Sequence, residues 1–323
     1  MTLPDTLRLN EYGFYEIKDK PTSEALRDYY AQRYYQENLT TYQASYPPEE
    51  LEHIEGKLRL RHYVVEQLRQ AESDASLPAV SIATYETGAI GRSEPDQEPE
   101  AKGRFLDIGC GEGWALEYFQ RNGWEVLGLD FSSYSLTQFH PTLLDRLRAG
   151  DLYAEVQKLV EANERFDVLW LDNVLEHVLD PADLLRQCRS LIQPGGVLMV
   201  DVPNDFSALQ NHLLDTGKID RPFWVVLPDH LSYFNQPGLR RLANATGWHV
   251  SKVIGDQAID LSLLNPSTNY VMDRTAGKGA HHARLEQDNL LLRTAPLAAV
   301  ATYYEGLAGV GLGRSIVAFL QPL

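Results

Sequence analysis

Three glycines, Gly109, Gly111 and Gly113, stand at alternate positions directly after an apolar run of Phe105, Leu106 and Ile108. Asp107 lies inside that run, two residues before the first glycine, and Asp130 closes the next apolar run of Val126, Leu127 and Leu129. Glycine lets a backbone pass close to a ligand where a side chain would block it. A carboxylate about 20 positions further on accepts both hydroxyl hydrogens of a ribose diol. A dinucleotide site asks for GxGxxG, with the pyrophosphate on the helix N-terminus. Here Trp114 occupies the place of the third glycine. An anionic Asp107 is unhelpful beside a pyrophosphate and useful beside an ammonium group.

The elements that must position these groups are a strand ending at Ile108, a glycine turn, a helix carrying Ala115, Leu116 and Phe119, and a second strand ending at Asp130. LDIGCGEG followed by GLDFS closely resembles motif I and its acidic successor in class I S-adenosylmethionine-dependent methyltransferases. Their ligand is an amino acid, a sulfonium, a ribose and an adenine, without phosphate. The resemblance covers residues 103–204. It implies a doubly wound α/β (Rossmann-like methyltransferase) fold, a mostly parallel sheet of about seven strands whose last strand is antiparallel. It also implies S-adenosylmethionine as cofactor and S-adenosylhomocysteine as product. Asp107 and the loop Gly109, Cys110, Gly111 and Gly113 would hold the methionine part, and Asp130 the ribose.

Further along, Phe131 follows the ribose carboxylate and reads either as an adenine-stacking ring or as core. In AGDLYAE, the resemblance gives Asp151 the adenine amino group and sets Leu152 beside the ring. FDVLWLD is a continuous apolar run of the kind buried in a parallel sheet. It ends in Asp172 and Asn173, where doubly wound sheets place their ligands. VLEHV and Pro194–Gly196 resemble later motifs of the same family; Glu176 and His177 form a capping turn, or His177 acts directly on the acceptor or a metal. His230 follows Pro228 and Asp229 in a loop after the fifth strand. An imidazole there suits a base for a hydroxyl nucleophile, with Tyr233 beside it as a substrate contact.

Residues 1–70 read as a helical cap whose tyrosines, Tyr34 among them, either cover the cofactor or pack on the core. The segment from His53 is its better helix, with Ile54, Leu58, Val65 and Leu68 as apolar stripe. Residues 71–102 read as a variable loop in which PAVSIATY could form a short strand. Residues 205–323 complete the core, with insertions over 205–245 and 256–313. Arg274, Lys278, His282 and Arg284 make a locally basic segment, either an anion site for a phosphate or carboxylate on the substrate or a solvated helix face. His281 and His282 are adjacent and point apart, so no metal site is expected. APLAAVATYYEGLAGVGLG reads as a buried helix ending in glycines.

Twenty-nine basic against 45 acidic residues leave a net charge of −16, which disfavours nucleic acid and anionic membranes as partners. No apolar run approaches a membrane span, the N-terminus lacks a signal peptide's basic start and apolar core, and two cysteines make no disulfide framework; a cytoplasmic protein is expected. The implied reaction is methyl transfer to an oxygen, less readily nitrogen or carbon, of a small polar acceptor that is sugar- or phosphate-bearing; a homodimer is compatible with this reading. A nicotinamide-dependent oxidoreductase or epimerase is disfavoured by Asp107 and the missing glycine. A non-catalytic scaffold is disfavoured by intact Asp107, Asp130 and Asp151, and a nucleic-acid methyltransferase by the charge and by the absence of an NPPY-like tetrapeptide. Calorimetry should show binding of S-adenosylhomocysteine and not of NAD, and Asp130→Ala should weaken that binding by about tenfold or more.

Overall fold

The structure is a computed structural model that describes residues 5–29, 45–76 and 101–323. The strands are β1 (Leu7–Leu9), β2 (Tyr15–Ile17), β3 (Arg104–Ile108), β4 (Glu125–Asp130), β5 (Leu147–Ala149), β6 (Phe166–Asp172), β7 (Ile192–Pro203), β8 (Ser232–Tyr233), β9 (Trp248–Ile254) and β10 (Ser315–Pro322). The helices are α1 (Ser23–Tyr29), α2 (Pro48–Ser76), α3 (Trp114–Arg121), α4 (Tyr134–Phe139), α5 (Leu152–Glu161), α6 (Pro181–Leu191), α7 (Ala208–Asp215), α8 (Gln236–Ala245), α9 (Ala276–Thr294) and α10 (Leu297–Gly309). Among the described residues, seven strands form the main sheet in the order β5-β4-β3-β6-β7-β10-β9. β10 runs antiparallel to both neighbours, and the pairs from β5 to β7 are parallel. This is the doubly wound α/β fold that the resemblance implies.

Successive side chains of a strand point to opposite faces, and both faces of this sheet are buried. Leu106, Ile108, Leu169, Leu171, Leu198, Val200 and Ala318 join α5, α6 and α8 in one core. Phe105, Val168, Trp170, Val197, Met199 and Phe319 join α2, α3 and α10 in the other. That double coverage is why β6 and β7 are continuously apolar and do not alternate.

Three expectations are corrected. The N-terminal segment is not helical throughout: Leu7–Leu9 and Tyr15–Ile17 form a hairpin that adds β8 as its third strand. α2 runs on to Ser76, so its helix extends into the expected 71–102 loop; residues 77–100, with the short strand expected in PAVSIATY, lie outside the described residues. α10 is not buried all round. Val300, Ala301, Tyr304 and Ala308 face the core while Tyr303 is exposed.

The feature that fixes α2 to the sheet is Arg61. It is 3% exposed and sits in the apolar stripe between Leu58 and Val65. Its guanidinium pairs with Asp172 at the end of β6 and with Asp201 on β7. Removing one partner of a buried pair strands the other charge, at a cost of about 3–5 kcal/mol. Arg61→Leu should therefore lower unfolding free energy in urea by about that amount. Without the guanidinium the stranded carboxylates have raised folded-state pKa values, so they take up protons on folding. The penalty should be smaller near pH 5 than near pH 8, and an equal penalty at both would contradict this assignment.

Candidate active site

A cavity of about 650 Å³ opens over the C-terminal ends of β3, β4 and β6. Its floor is the glycine loop. Gly109, Gly111 and Gly113 have φ of 79°, 52° and 84°, a region that side chains other than glycine rarely enter. A Cβ at Gly109 would stand 2.5 Å from Val174 Cγ2. The loop is tied to β4, because the amides of Gly109 and Cys110 both donate to the Leu129 carbonyl, at 2.7 and 3.0 Å. Gly111 N donates to Asp130 Oδ2 at 2.9 Å, and Ser132 N donates to Asp130 Oδ1 at 3.0 Å. The Asp130 carboxylate is thereby fixed in position on the cavity wall.

Three carboxylates, Asp107, Asp130 and Asp172, share this wall. Burial, and then the charges of Asp172 and Asp130, push Asp107 well above the usual carboxylate range. Burial penalises ionised Asp172 most, but Arg61, with Lys57 and a hydrogen bond with Asp201, holds Asp172 below its ordinary value. Asp201, behind the wall, is pushed up to about 7, by burial foremost and in spite of Arg61. A wall of mutually repelling carboxylates is relieved by a cation. The donor set therefore fits a ligand bearing an ammonium or sulfonium and opposes a pyrophosphate.

Of the residues singled out in the sequence, Asp107, Gly109, Cys110, Gly111, Asp130, Phe131, Asp151, Leu152, Asp172, Asn173 and His177 line this cavity. Gly113 stands behind it as the N-cap of α3, where a Cβ would collide with Leu136. Asp151 also caps α5, its Oδ1 accepting from Ala154 N at 3.0 Å. Asn173, at φ 54°, donates from Nδ2 to Asp172 Oδ1 at 2.9 Å. Tyr34 lies outside the described residues.

Most of the expected substrate-side residues lie away from this cavity. His230 is not on the cavity wall. Burial, with His177 and Arg314 nearby, pushes its pKa down to about 3, which makes it a weak proton acceptor. His177 is on the wall and is also held below the ordinary imidazole value, chiefly by burial. Tyr233 is fully buried in β8 opposite Tyr15. Arg274, Lys278 and His282 are exposed around the start of α9, and Arg284 is half-buried beside His281; none lines the cavity. The basic segment is a helix face, and the long insertion that carries it packs elsewhere.

Sequence reasoning missed the residues that α1 and α2 deliver, Ser23, Leu26, Ile54, Lys57, Leu58 and Arg61, together with Trp114 and Tyr153. Arg61 carried a usable signal. It falls in register with Ile54, Leu58, Val65 and Leu68, and a cation inside an apolar stripe must find a buried partner. Lys57 is one helical turn before it.

A family model described as a methyltransferase domain matches residues 90–253. The chain is 30% identical over 189 residues to a ubiquinone biosynthesis O-methyltransferase of Coxiella burnetii (strain RSA 331 / Henzerling II), spanning 54% of this chain and 79% of that protein. It is 38% identical over 96 residues to the protein of the same name from Serratia proteamaculans (strain 568), spanning 28% of this chain and 39% of that one. Among solved structures, magnesium protoporphyrin IX methyltransferase from Synechocystis PCC 6803 gives a TM-score of 0.43 at 14% identity, over 72% of this chain and 92% of that one. A SAM-dependent methyltransferase from Archaeoglobus fulgidus gives 0.42 at 18%, over 69% and 88%.

Two changes probe the cavity floor. Gly109→Ala should fold yet bind S-adenosylhomocysteine about tenfold or more weakly, because Val174 and the left-handed φ both oppose a methyl group. An ammonium ligand binds the ionised form of Asp107, whose pKa is raised. Affinity should therefore fall as pH is lowered through a range above the ordinary carboxylate values, while Asp107→Asn binds weakly with a flatter profile.

Proposed function

Because the chain belongs to the class I S-adenosylmethionine-dependent methyltransferases, its methyltransferase domain spanning residues 90–253, we propose that it methylates an oxygen of a small polar acceptor. The enzyme's cofactor is S-adenosylmethionine, as in that family. When bound, it supplies a methyl group on a positively charged sulfur. The observation that carries the reading is the cavity wall of Asp107, Asp130 and Asp172 facing the glycine loop. Its negative field matches a cationic cofactor and is repelled by nucleotide phosphates.

The chain's own residues divide the work. Asp107 and the loop backbone receive the amino-acid end, with Lys57 of α2 on the same wall as a counter-charge for a carboxylate. Asp130, held by Gly111 and Ser132, presents its carboxylate to the ribose hydroxyls. Phe131 and Leu152 offer apolar surface to the adenine. α1 and α2 close the cavity with Leu26, Ile54 and Leu58, which excludes water and restricts the acceptor's approach. His177 marks the acceptor end of the wall. The name of the relatives, O-methyltransferases at 30% identity over 79% of one such protein's length, supports oxygen as the acceptor atom.

Incubation with methyl-labelled cofactor and a panel of hydroxylated small molecules tests this. Label should appear in an ether that survives mild base. Label on nitrogen or carbon would overturn the choice of oxygen, and failure to bind S-adenosylhomocysteine would overturn the enzyme assignment altogether.

A further inference from the structure

The glycine loop carries one more carboxylate, and its oxygens are partnered unlike those of the three aspartates. Glu112 stands between Gly111 and Gly113, lines the cavity beside Trp114 and is 8% exposed. Its Oε1 accepts from the Tyr46 hydroxyl at 2.9 Å, and its Oε2 accepts from Trp114 Nε1 at 2.6 Å. An ionised carboxylate offers about four lone-pair sites. A phenol and an indole fill one on each oxygen, and both donors are neutral. Among the described residues no lysine or arginine pairs with Glu112, whereas Arg61 pairs with Asp172. Burial pushes Glu112 above the ordinary glutamate value, although Trp114, Tyr46 and the nearby His140 oppose the shift. A desolvated carboxylate with lone pairs to spare gains most from a cation.

Three segments hold this side chain in place. His140 Nδ1 donates to the Glu112 carbonyl at 2.7 Å, which fixes the backbone between the two left-handed glycines. Tyr46, two residues before α2, meets Trp114 edge-on with ring centroids 5.7 Å apart, and meets Phe139 of α4 at 5.5 Å. Trp114 in turn meets the His140 ring at 4.5 Å and nearly at right angles. The phenol and the indole are thus packed by their neighbours, so the carboxylate between them keeps its orientation. Trp114, which marks the departure from a dinucleotide loop, has a use here as one of the two donors.

We propose that Glu112 binds the ammonium group at the amino-acid end of the cofactor, and that Tyr46 positions it for that contact. The assignment rests on the cofactor reading above, in which this loop receives the amino-acid end. An ammonium brings three donors, which suit the lone pairs that Tyr46 and Trp114 leave. Charge-assisted hydrogen bonds of this kind are about twice as strong as neutral ones. Glu112 then faces the ammonium from the loop and Asp107 faces it from the strand, while Lys57 of α2 answers the carboxylate of the same amino acid. Tyr46 does not line the cavity and acts through Glu112, as a positioning residue.

The test compares two probes on the full chain by calorimetry. S-adenosylhomocysteine carries the amino-acid end, and 5′-methylthioadenosine keeps only the adenine, the ribose and a methylated sulfur. Glu112→Gln should weaken S-adenosylhomocysteine binding by about tenfold or more. Its affinity for 5′-methylthioadenosine should stay within about twofold, which also shows that the variant folds. Tyr46→Phe should weaken S-adenosylhomocysteine alone, by about threefold to fivefold, and should add less than about twofold in the Glu112→Gln background. Glu112→Gln that binds S-adenosylhomocysteine as tightly as wild type, or that loses both probes alike, would overturn the ammonium contact. A Tyr46→Phe effect that persists in full beside Glu112→Gln would overturn the positioning role. Wild-type protein that binds neither probe would instead overturn the cofactor reading itself.

Discussion

The buried guanidinium of Arg61 is the interaction on which the rest of the site depends. Asp107, Asp130, Asp172 and Asp201 are gathered at or near the C-terminal ends of four adjacent parallel strands, where their charges repel across a medium of low dielectric. Arg61 neutralises the Asp172–Asp201 side from beneath. Among the described residues no cation pairs with Asp107 in this way, and its pKa stays raised. The fold thus stabilises part of the acidic cluster internally and leaves the remainder as an electrostatic deficit that a cationic ligand fills. Arg61 does this from a helix packed on the face of the sheet, so α2 is both a wall of the cavity and the carrier of its counter-charge.

That requirement explains the C-terminal insertion better than a substrate role does. α9 and α10 brace α2 through a buried polar chain: His53 Nε2 meets Asp288 Oδ2 at 2.8 Å, and Tyr304 donates its hydroxyl to the other oxygen of Asp288. Asn289 Nδ2 donates to the Glu49 carbonyl at 2.9 Å, close to the start of the same helix. Lys278 and His282 of α9 fall on the exposed side of this brace, away from the cavity. On the opposite flank, Arg314 pairs with Asp205 at 3.1 Å, and its charge helps to keep His230 neutral.

Much of the cofactor half was legible because its constraints are local. A strand, a glycine turn with three positive φ values, a helix and a terminal aspartate lie within a single short stretch. The acceptor half was not. His230 looked like a base because a loop histidine after the fifth strand suits one. Its actual surroundings, His177 and Arg314 together with an unmet Nδ1, are assembled from segments far apart in the chain. Tyr233 read as a substrate contact and is buried in β8 opposite Tyr15, because the N-terminal hairpin that pairs with it resembled the start of a helical cap.

The sequence by itself determined the doubly wound core, the cationic character of the ligand and the positions of Asp107, Asp130 and Asp172. Strand periodicity, left-handed glycines and strand-end carboxylates are properties of neighbouring residues. Only the tertiary structure decided which charge is buried against which. It paired Arg61 with Asp172 and Asp201, packed α9 on α2 through Asp288 and Asn289, and brought Glu176 and His177 against His230. Burial and long-range contact set those energies, and neither is encoded in any single stretch of chain.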